Sequence, residues 1–252
     1  MQQRRHQMGA TMTTTVNTDT RFDDPLDEFW REPLPSVASR KFSMKARRTG
    51  RSTIPAIVGI PRYVRKVQCE SLLESNCAIV LLARRDVINL VEQLPPVAYF
   101  DEVEQKWKKH HFDFLAQLTD GSRIAIAVRS AARAQEVRAV VEAIAAQGCA
   151  LADGYAVVTD ADLPINLVRN SELILAVRRD HDRSADEKIR DIVTTLHGTT
   201  TIEMLVAASG LEGKGFRAVV RMIDEGELEI ARDTLIDYPA TVRRPATGRA
   251  AA

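Results

Sequence analysis

The sequence predicts an α/β protein in which a mixed sheet is flanked by helices and followed by a smaller, mainly helical unit. From Val67 to about Arg179, helical and strand-like periodicities follow the order helix, three strands, helix, strand, which places helices against a sheet. A polar stretch, RRDHDRSADE, then precedes three further amphipathic segments. The 252 residues, 45% hydrophobic and 27% charged, are enough for two domains.

Composition favours a cytoplasmic protein without a membrane partner. No apolar stretch approaches the roughly 20 residues that a membrane-spanning helix needs, and the N-terminus lacks a signal-peptide core. Cys69, Cys77 and Cys149 have no CxxC spacing, and their odd number argues against a disulfide framework or a zinc site. We therefore expect buried thiols in a reducing compartment.

The N-terminal region combines a polar tail with a basic arm, and the formal net charge of +1 hides this uneven distribution. Residues 1–39 lack sustained periodicity, which predicts a disordered tail. Residues 40–66 carry no acidic residue, and such a stretch suits double-stranded DNA because each neutralised phosphate releases counterions. The alternative is a solvated arm that keeps the protein soluble. The cations of the arm are Arg40, Lys41, Lys45, Arg47, Arg48, Arg51, Arg62, Arg65 and Lys66.

The first domain is predicted over residues 67–180, each element from its periodicity and its turn residues. A glycine at position 148 is a common C-terminal stop and ends the second helix. The predicted elements are a helix at 71–83, a short strand or turn at 86–91, a strand at 97–100, a charged turn at 101–109, strands at 112–118 and 123–129, a helix at 131–147, a strand at 155–159 and a helix at 163–177.

The two strands at 112–118 and 123–129 form a hairpin whose register follows from their alternation. A two-residue turn would put the apolar faces of the two strands on opposite sides, which is costly because a one-residue slip inverts every side chain. A three-residue turn or a bulge keeps the faces together. In that register Asp113 faces the same way as Ala127 and Arg129.

The second domain is predicted over residues 184–238, and residues 239–252 read as a disordered tail. This span of about 55 residues is predicted to contain, in order, two helices, a turn, a third helix and a β-hairpin. That order is typical of a small winged-helix-like domain. The predicted elements are helices at 186–196, 201–208 and 213–224 and strands at 228–231 and 234–236.

The charges of this second domain leave two partners open. Lys214, Arg217 and Arg221 lie roughly on one face of the third helix and predict contact with DNA. Acidic residues crowd the following wing, which is unfavourable for DNA and fits a protein partner better. These acidic residues are Asp224, Glu225, Glu227 and Glu229.

Four ordered sequence pieces carry a resemblance to a known family. They are VQCESLLE at 67–74, VINLVEQLPPVAY at 87–99, HHFDFLAQLTDGSRIAIAVRS at 110–130 and YAVVTDADL at 155–163. With the basic lead-in, the span from about Arg40 to Val177 resembles the N-terminal catalytic domain of TnsA-type transposon endonucleases, a branch of the PD-(D/E)xK nuclease superfamily. The resemblance implies a restriction-endonuclease-like sheet, and the second domain of TnsA is also winged-helix-like.

The resemblance also implies a site. The family uses a helix glutamate, a strand aspartate and a Glu/Gln-x-Lys pair, with Mg²⁺ on the carboxylates. Glu74 and Asp113 match the first two positions and would be the metal ligands. Ala127 stands where the Glu or Gln belongs, and Arg129 stands where the lysine belongs. A methyl group cannot bind Mg²⁺, and arginine contacts phosphate well but is not a proton donor at ordinary pH.

Several alternatives accompany this site. Glu74 also forms a capping box with Ser71. Glu136 or Glu142 on the following helix is the candidate for a migrated carboxylate ligand in an active Mg²⁺-dependent endonuclease. His110 and His111 are expected to lie exposed at the strand entrance.

The favoured hypothesis is a DNA-binding protein on a degenerate TnsA-like nuclease fold, acting in a DNA-processing, mobile-element or regulatory assembly. An active endonuclease with a migrated ligand is the first alternative. The second is a winged-helix protein-interaction adaptor or transcription regulator.

Overall fold

The structure, a computed structural model, describes residues 32–39, 50–60, 62–231 and 233–246. Within these residues, three α-helices and eight strands form the first part, and three α-helices and three short strands form the second. The elements are β1 (Ser52–Val58), β2 (Tyr63–Cys69), α1 (Leu72–Ala83), β3 (Val87–Glu92), β4 (Val97–Asp101), β5 (Lys106–His110), β6 (Phe114–Leu118), β7 (Arg123–Val128), α2 (Ala131–Ala146), β8 (Gly154–Val158), α3 (Ile165–Val177), α4 (Arg183–Thr194), β9 (Thr199–Thr201), α5 (Ile202–Ser209), α6 (Glu212–Glu225), β10 (Glu229–Ile230) and β11 (Thr241–Arg243).

A four-stranded mixed sheet in the order β3-β6-β7-β8 organises the first domain. The first two pairings are antiparallel, and β7 pairs with β8 in parallel. One face packs an apolar cluster against α1 and α3, and the other packs a second cluster against α2. The predicted mixed sheet flanked by helices is therefore confirmed.

The hairpin of β6 and β7 has the register that keeps its apolar faces together. Phe114 lies opposite Ile126. The Leu118 N–H donates to the Ser122 carbonyl at 2.8 Å, so residues 119–121 form a three-residue turn. The last of them, a glycine, has a φ of 88°, which costs glycine little. The predicted three-residue turn is confirmed.

Two predictions beside this hairpin are wrong: the alternation along 112–118 places Phe112 on the same face as Phe114, and residues 101–109 are predicted to form a turn. Phe112 packs with Ala127 in the cluster against α2, on the face opposite Phe114. The strand pairing changes at Gln93, whose left-handed φ of 51° redirects the chain. The predicted charged turn at 101–109 contains β5, which pairs with β4 in a separate two-stranded sheet.

The N-terminal predictions change as well. Leu34 bridges Arg65, and the Ser39 N–H donates to the Gln93 carbonyl at 3.0 Å, so residues 32–39 pack on the domain rather than form a tail. The distal half of the predicted basic arm is the β1–β2 hairpin, whose Ala56 and Val58 are buried. Residues 1–31 and 40–49 lie outside the described part of the chain.

The second domain folds around three helices and a sheet in the order β10-β11-β9. The helix predictions hold to within a few residues. The predicted strand at 234–236 is wrong, and the central strand β11 lies in the predicted disordered tail, where Val242 is buried. Within the described ranges, no helix is long and apolar enough to cross a membrane.

The stretch predicted to separate the domains instead joins them. Helix α3 contributes Val168 to the first core and Val177 to the second. Beyond it, the Arg178 guanidinium donates to the last two carbonyls of α1 at 2.9 and 2.7 Å and to the carboxylate of Asp224 at 2.7 Å. The two domains are thus connected by a helix and by a partly buried polar contact.

Candidate functional site

Glu74 lies in the first turn of α1, and local hydrogen bonds hold its carboxylate. The Ser71 hydroxyl caps the Glu74 N–H at 3.1 Å and donates to Glu74 Oε1 at 3.0 Å. Glu74 Oε2 accepts from the Glu70 N–H at 2.8 Å, so the carboxylate reaches one residue further back than a capping box predicts. Burial, and then the nearby Asp113 carboxylate, raise the pKa of Glu74.

Asp113 is buried just before β6, and Arg129 neutralises it. Asp113 Oδ2 accepts from the Val128 N–H and from Arg129 Nη1, each at 2.7 Å. Arg129 Nη1 also donates to the Val128 carbonyl at 2.6 Å. The prediction that Asp113 and Arg129 share a face is therefore confirmed, and the two form an ion pair.

Gln93 is a member of this cluster that the sequence did not reveal. It is 1% exposed, and its Nε2 donates to Glu74 Oε2 at 3.1 Å. Its backbone N–H donates to the Asp113 carbonyl at 2.7 Å, and its own carbonyl accepts from the Ser39 hydroxyl at 2.6 Å. The only local signal was its place before Leu-Pro-Pro, which marks the end of a strand. Gln93 thus links Glu74 to Asp113.

Ala127 stands at the position of the missing ligand and is fully buried. It packs in the cluster that contains Phe112, Val141 and Ile144. Since interiors are close-packed, this position belongs to the apolar core rather than to a polar site.

The arrangement of the two carboxylates does not fit Mg²⁺. Both oxygens of Glu74 accept hydrogen bonds, and one oxygen of Asp113 accepts two. Mg²⁺ takes oxygen ligands in near-octahedral geometry, and here the Arg129 guanidinium already supplies the positive charge beside Asp113. Among the described residues, no three His, Cys, Asp or Glu side chains come together as a metal-binding group.

The residues considered as replacement ligands lie to one side of the cluster. Glu142 lies on the exposed face of α2. Glu136 lines an open depression of about 260 Å³ together with His110, Arg129 and Arg133. His110 and His111 are partly buried rather than exposed. Burial, and then the Arg129 charge, lower the pKa of His110 to about 4.

One predicted DNA contact, Arg65, is instead part of the core. Its side chain is 2% exposed and pairs with Glu92, which is 0% exposed, at 2.7 Å. Ser36 donates to the same carboxylate at 2.5 Å. Burial therefore removes Arg65 from the predicted DNA-contacting set.

The other arm residues divide into two groups. Arg62 is exposed, while Arg51 and Lys66 are partly buried, and Lys66 lies 3.5 Å from Glu32. The remaining five predicted cations fall outside the described residues, and they are Arg40, Lys41, Lys45, Arg47 and Arg48.

All three cations predicted to face DNA from α6 are engaged by carboxylates. Arg221 is buried and pairs with Asp186 at 2.6 Å. Arg221 is thereby excluded from surface contact with DNA, and its neighbours are partly neutralised. The two neighbouring ion pairs are Arg217–Asp180 and Lys214–Asp182.

The acidic wing is likewise neutralised within the chain. Arg190 holds Glu225 and Glu227, each at 2.9 Å. Arg243 holds Glu229 at 3.2 Å. The acidic residues therefore present less negative charge to a partner than the sequence indicated.

Neither a protein-family model nor a curated protein matches this sequence. The likeness to TnsA-type endonucleases therefore rests on the sequence motifs. The three cysteines are free thiols.

Proposed function

We propose that this chain is a DNA-binding protein built on a TnsA-like nuclease fold that has lost cleavage. The order αβββαβ, with β3, β6 and β7 antiparallel and β8 parallel to β7, supports a restriction-endonuclease-like core. The second domain contains, in chain order, a helix, a strand, two helices and two strands, and β11 is the central strand of its sheet. This arrangement supports a winged-helix-like unit. Such proteins act in DNA-processing, mobile-element or regulatory assemblies.

The observation that carries the proposal is the ion pair between Asp113 and Arg129. A working site would leave the aspartate free for a metal ion and would place a lysine nearby. Here Arg129 forms an ion pair with Asp113, and apolar side chains pack around Ala127. The hydrogen bonds and the ion pair within the chain hold Asp113 in place, which supports a structural role for this residue.

The same arginine supports contact with DNA. Its side chain is 29% exposed, and its Nη1 donates to Asp113 and to the Val128 carbonyl. The remaining guanidinium N–H groups suit a phosphate oxygen. Arg133 lies beside it in the depression, and Arg62 is exposed on the β1–β2 hairpin.

Incubation with supercoiled plasmid and Mg²⁺ or Mn²⁺ tests the loss of cleavage. We expect no nicking above the level of a buffer control. Metal-dependent nicking that disappears in both Glu74→Gln and Asp113→Asn would contradict the proposal and favour the active endonuclease. Nicking that persists in both variants would indicate a contaminant.

Fluorescence anisotropy with a labelled duplex tests DNA binding. We expect affinity to fall steeply with salt, because phosphate contacts release counterions. Arg62→Gln should make the salt dependence shallower, while Arg183→Gln, on an exposed arginine of α4, is the matched control. A duplex that fails to bind at low salt would contradict the proposal.

A protein partner for the second domain is a second candidate. The cations of α6 are engaged within the chain, while Met204 is 63% exposed and Tyr238 40%. Exposed apolar side chains of this size are typical of contact surfaces when they cluster. If Lys214→Glu leaves the DNA affinity unchanged, α6 does not contact DNA. That result would favour a protein partner for the second domain.

A further inference from the structure

The hairpin of β4 and β5 forms a separate two-stranded sheet with one exposed aromatic face. Residues opposite each other in an antiparallel pair share a face, and Phe100 lies opposite Trp107, as Ala98 lies opposite Lys109. These four residues form the Trp107 face. Trp107 is 70% exposed, although tryptophan is highly buried on average. The other face carries Tyr99, which packs in the cluster against α2, so only the Trp107 face is directed away from the core.

The hairpin is held in place around the Trp107 face. Phe100 contacts Trp107 edge to face, with ring centroids 5.7 Å apart and planes at 66°. The Gln147 side chain accepts from the Phe100 N–H at 2.9 Å and donates to the Phe100 carbonyl at 2.8 Å, which fixes β4 to the end of α2. At the tip of the hairpin, Asp101 Oδ1 accepts from the Val103 N–H at 3.0 Å. A partner therefore meets a preorganised surface, which lowers the entropic cost of binding.

The charges of the hairpin balance, but two of them lie unpaired at opposite ends. Residues 97–110 contain three lysines and three acidic residues, so the hairpin does not attract a polyanion. Two of the acidic residues are neutralised within the hairpin, at 2.6 and 2.5 Å, in the pairs Asp101–Lys108 and Glu104–Lys106. Lys109 at the base and Glu102 at the tip are exposed, and neither makes an ion pair with any residue that the structure describes.

This distribution is complementary to a second copy of itself. Along β4, Ala98 at the base lies two residues before Phe100, and Glu102 at the tip lies two residues after it. Base and tip are therefore each about 7 Å from the aromatic centre. When two Trp107 faces meet in antiparallel orientation, the two-fold axis brings Lys109 of each copy towards Glu102 of the other, so the contact forms twice. A parallel orientation would place like charges together at both ends.

We propose that the Trp107 face joins two copies of this chain, base to tip, about a two-fold axis. Trp107 and Phe100 of both copies form the apolar centre, where tryptophan is enriched among the residues that contribute most to binding. The two Lys109–Glu102 pairs lie on the rim. A face of two five-residue strands is about 17 Å by 10 Å, well below the roughly 800 Å² per partner of a standard interface, so the dimer is weak and concentration-dependent. This inference does not rest on the proposed DNA binding.

Sedimentation velocity of the full chain over a dilution series tests the dimer. We expect the sedimentation coefficient to rise with protein concentration from that of a monomer towards that of a dimer. Trp107→Ala removes the central side chain from both copies and should weaken dimerisation at least about 30-fold. Met204→Ala, which shortens a similarly exposed apolar side chain of the second domain, is the matched control and should leave dimerisation unchanged. A chain that stays monomeric at every concentration overturns the proposal, as does a dimer that Trp107→Ala leaves intact.

Charge reversal tests the base-to-tip orientation. Lys109→Glu and Glu102→Lys each bring like charges together across the two-fold axis, so each should weaken the dimer. A mixture of these two single variants should associate better than either alone, because opposite charges then meet at both ends. Lys188→Glu, on an exposed lysine of α4, is the control and should have no effect. If the mixture associates no better than the separate variants, the orientation and the proposal are overturned.

Fluorescence reports directly on the proposed surface. In a Trp30→Phe background, Trp107 is the only tryptophan, and its emission should shift to shorter wavelength as the concentration rises, because the indole leaves water. A dimer without this shift uses another surface and overturns the proposal. A monomer whose emission shifts only when DNA or a different protein is added assigns the Trp107 face to that occupant and also overturns it. Since Trp107 is exposed, Trp107→Ala is expected to keep the wild-type circular dichroism spectrum.

Discussion

Arg129 and Asp113 face each other at the strand ends and form an ion pair in a partly buried site. Asp113 is 5% exposed and Arg129 29% in their side chains. Removing one partner of a buried pair costs more than the pair contributes, because the remaining charge is left without compensation. The pair is therefore a structural requirement of this chain, whatever DNA it binds.

We expect Arg129→Ala to lower the free energy of unfolding by about 3 kcal/mol, at the low end for buried pairs because Arg129 is partly exposed. Urea unfolding followed by circular dichroism measures this change. Arg123→Ala, which removes a more exposed pair with Asp153 at 3.6 Å, is the control and should cost less than about 1 kcal/mol. Equal losses in the two variants would contradict a structural role for Arg129.

Glu74 makes a prediction about pH. Its pKa in the folded chain lies above the ordinary value of 4.5, mainly because of burial. The folded chain therefore holds this proton to higher pH than the unfolded chain does, so the contribution of Glu74 to stability is greatest below pH 4.5 and is lost as the pH rises through the folded pKa. Glu74→Gln removes this titration. The stability of the variant relative to wild type should rise with pH in that window, and parallel curves would contradict the assignment.

At the scale of elements, the turn between β6 and β7 determines which residues meet at the site. The glycine at 121 has a φ of 88° and nothing within 4 Å of an added Cβ. Gly213, in α6, also has open space but a helical position. Substitutions at these two glycines therefore separate the effect of backbone strain from the effect of packing.

We expect Gly121→Ala to destabilise the protein by about 1 kcal/mol, because alanine is strained at positive φ. Gly213→Ala should stabilise it by about 0.5–1 kcal/mol, because alanine is the better helix former. Thermal unfolding of the two variants beside wild type measures both signs. Stabilisation by Gly121→Ala would show that the three-residue turn is not the conformation of the hairpin.

The sequence predicted the elements whose signal is local and missed those that depend on distant partners. The register of β6 and β7 followed from alternation, and the helices followed from their period. Arg65 looked like part of a solvated arm because its partner, Glu92, is 27 residues away. β11 is three residues long and has no period to detect, and only its pairing with β9 and β10 makes it a strand.

The same distinction applies to the candidate site. Glu74, Asp113 and Arg129 could be found because motif order and strand register are sequence properties. Gln93 could not be found, because its role depends on a left-handed backbone and on hydrogen bonds to three separate segments. The alternation also could not show that Phe112 packs with Ala127, because β6 begins only at Phe114 and Phe112 lies on the opposite face from Phe114.

At the scale of the whole molecule, Arg178 couples the two domains. One guanidinium contacts the carbonyl end of α1 in the first domain and Asp224 of α6 in the second. A cation at a helix C-terminus is also favoured by the helix dipole. Together with the shared helix α3, this contact should make the two cores unfold together.

Arg178→Ala tests that coupling. The substitution leaves Asp224 partly buried without its partner and two carbonyls without a donor, so we expect a loss of about 2–4 kcal/mol and a separation of the two unfolding transitions. Differential scanning calorimetry should show one transition for wild type and a broadened or double transition for the variant. Arg183→Ala, which removes a solvent-exposed i,i+4 pair with Glu187, should keep the single transition. A single, equally sharp transition in Arg178→Ala would mean that α3 alone couples the domains.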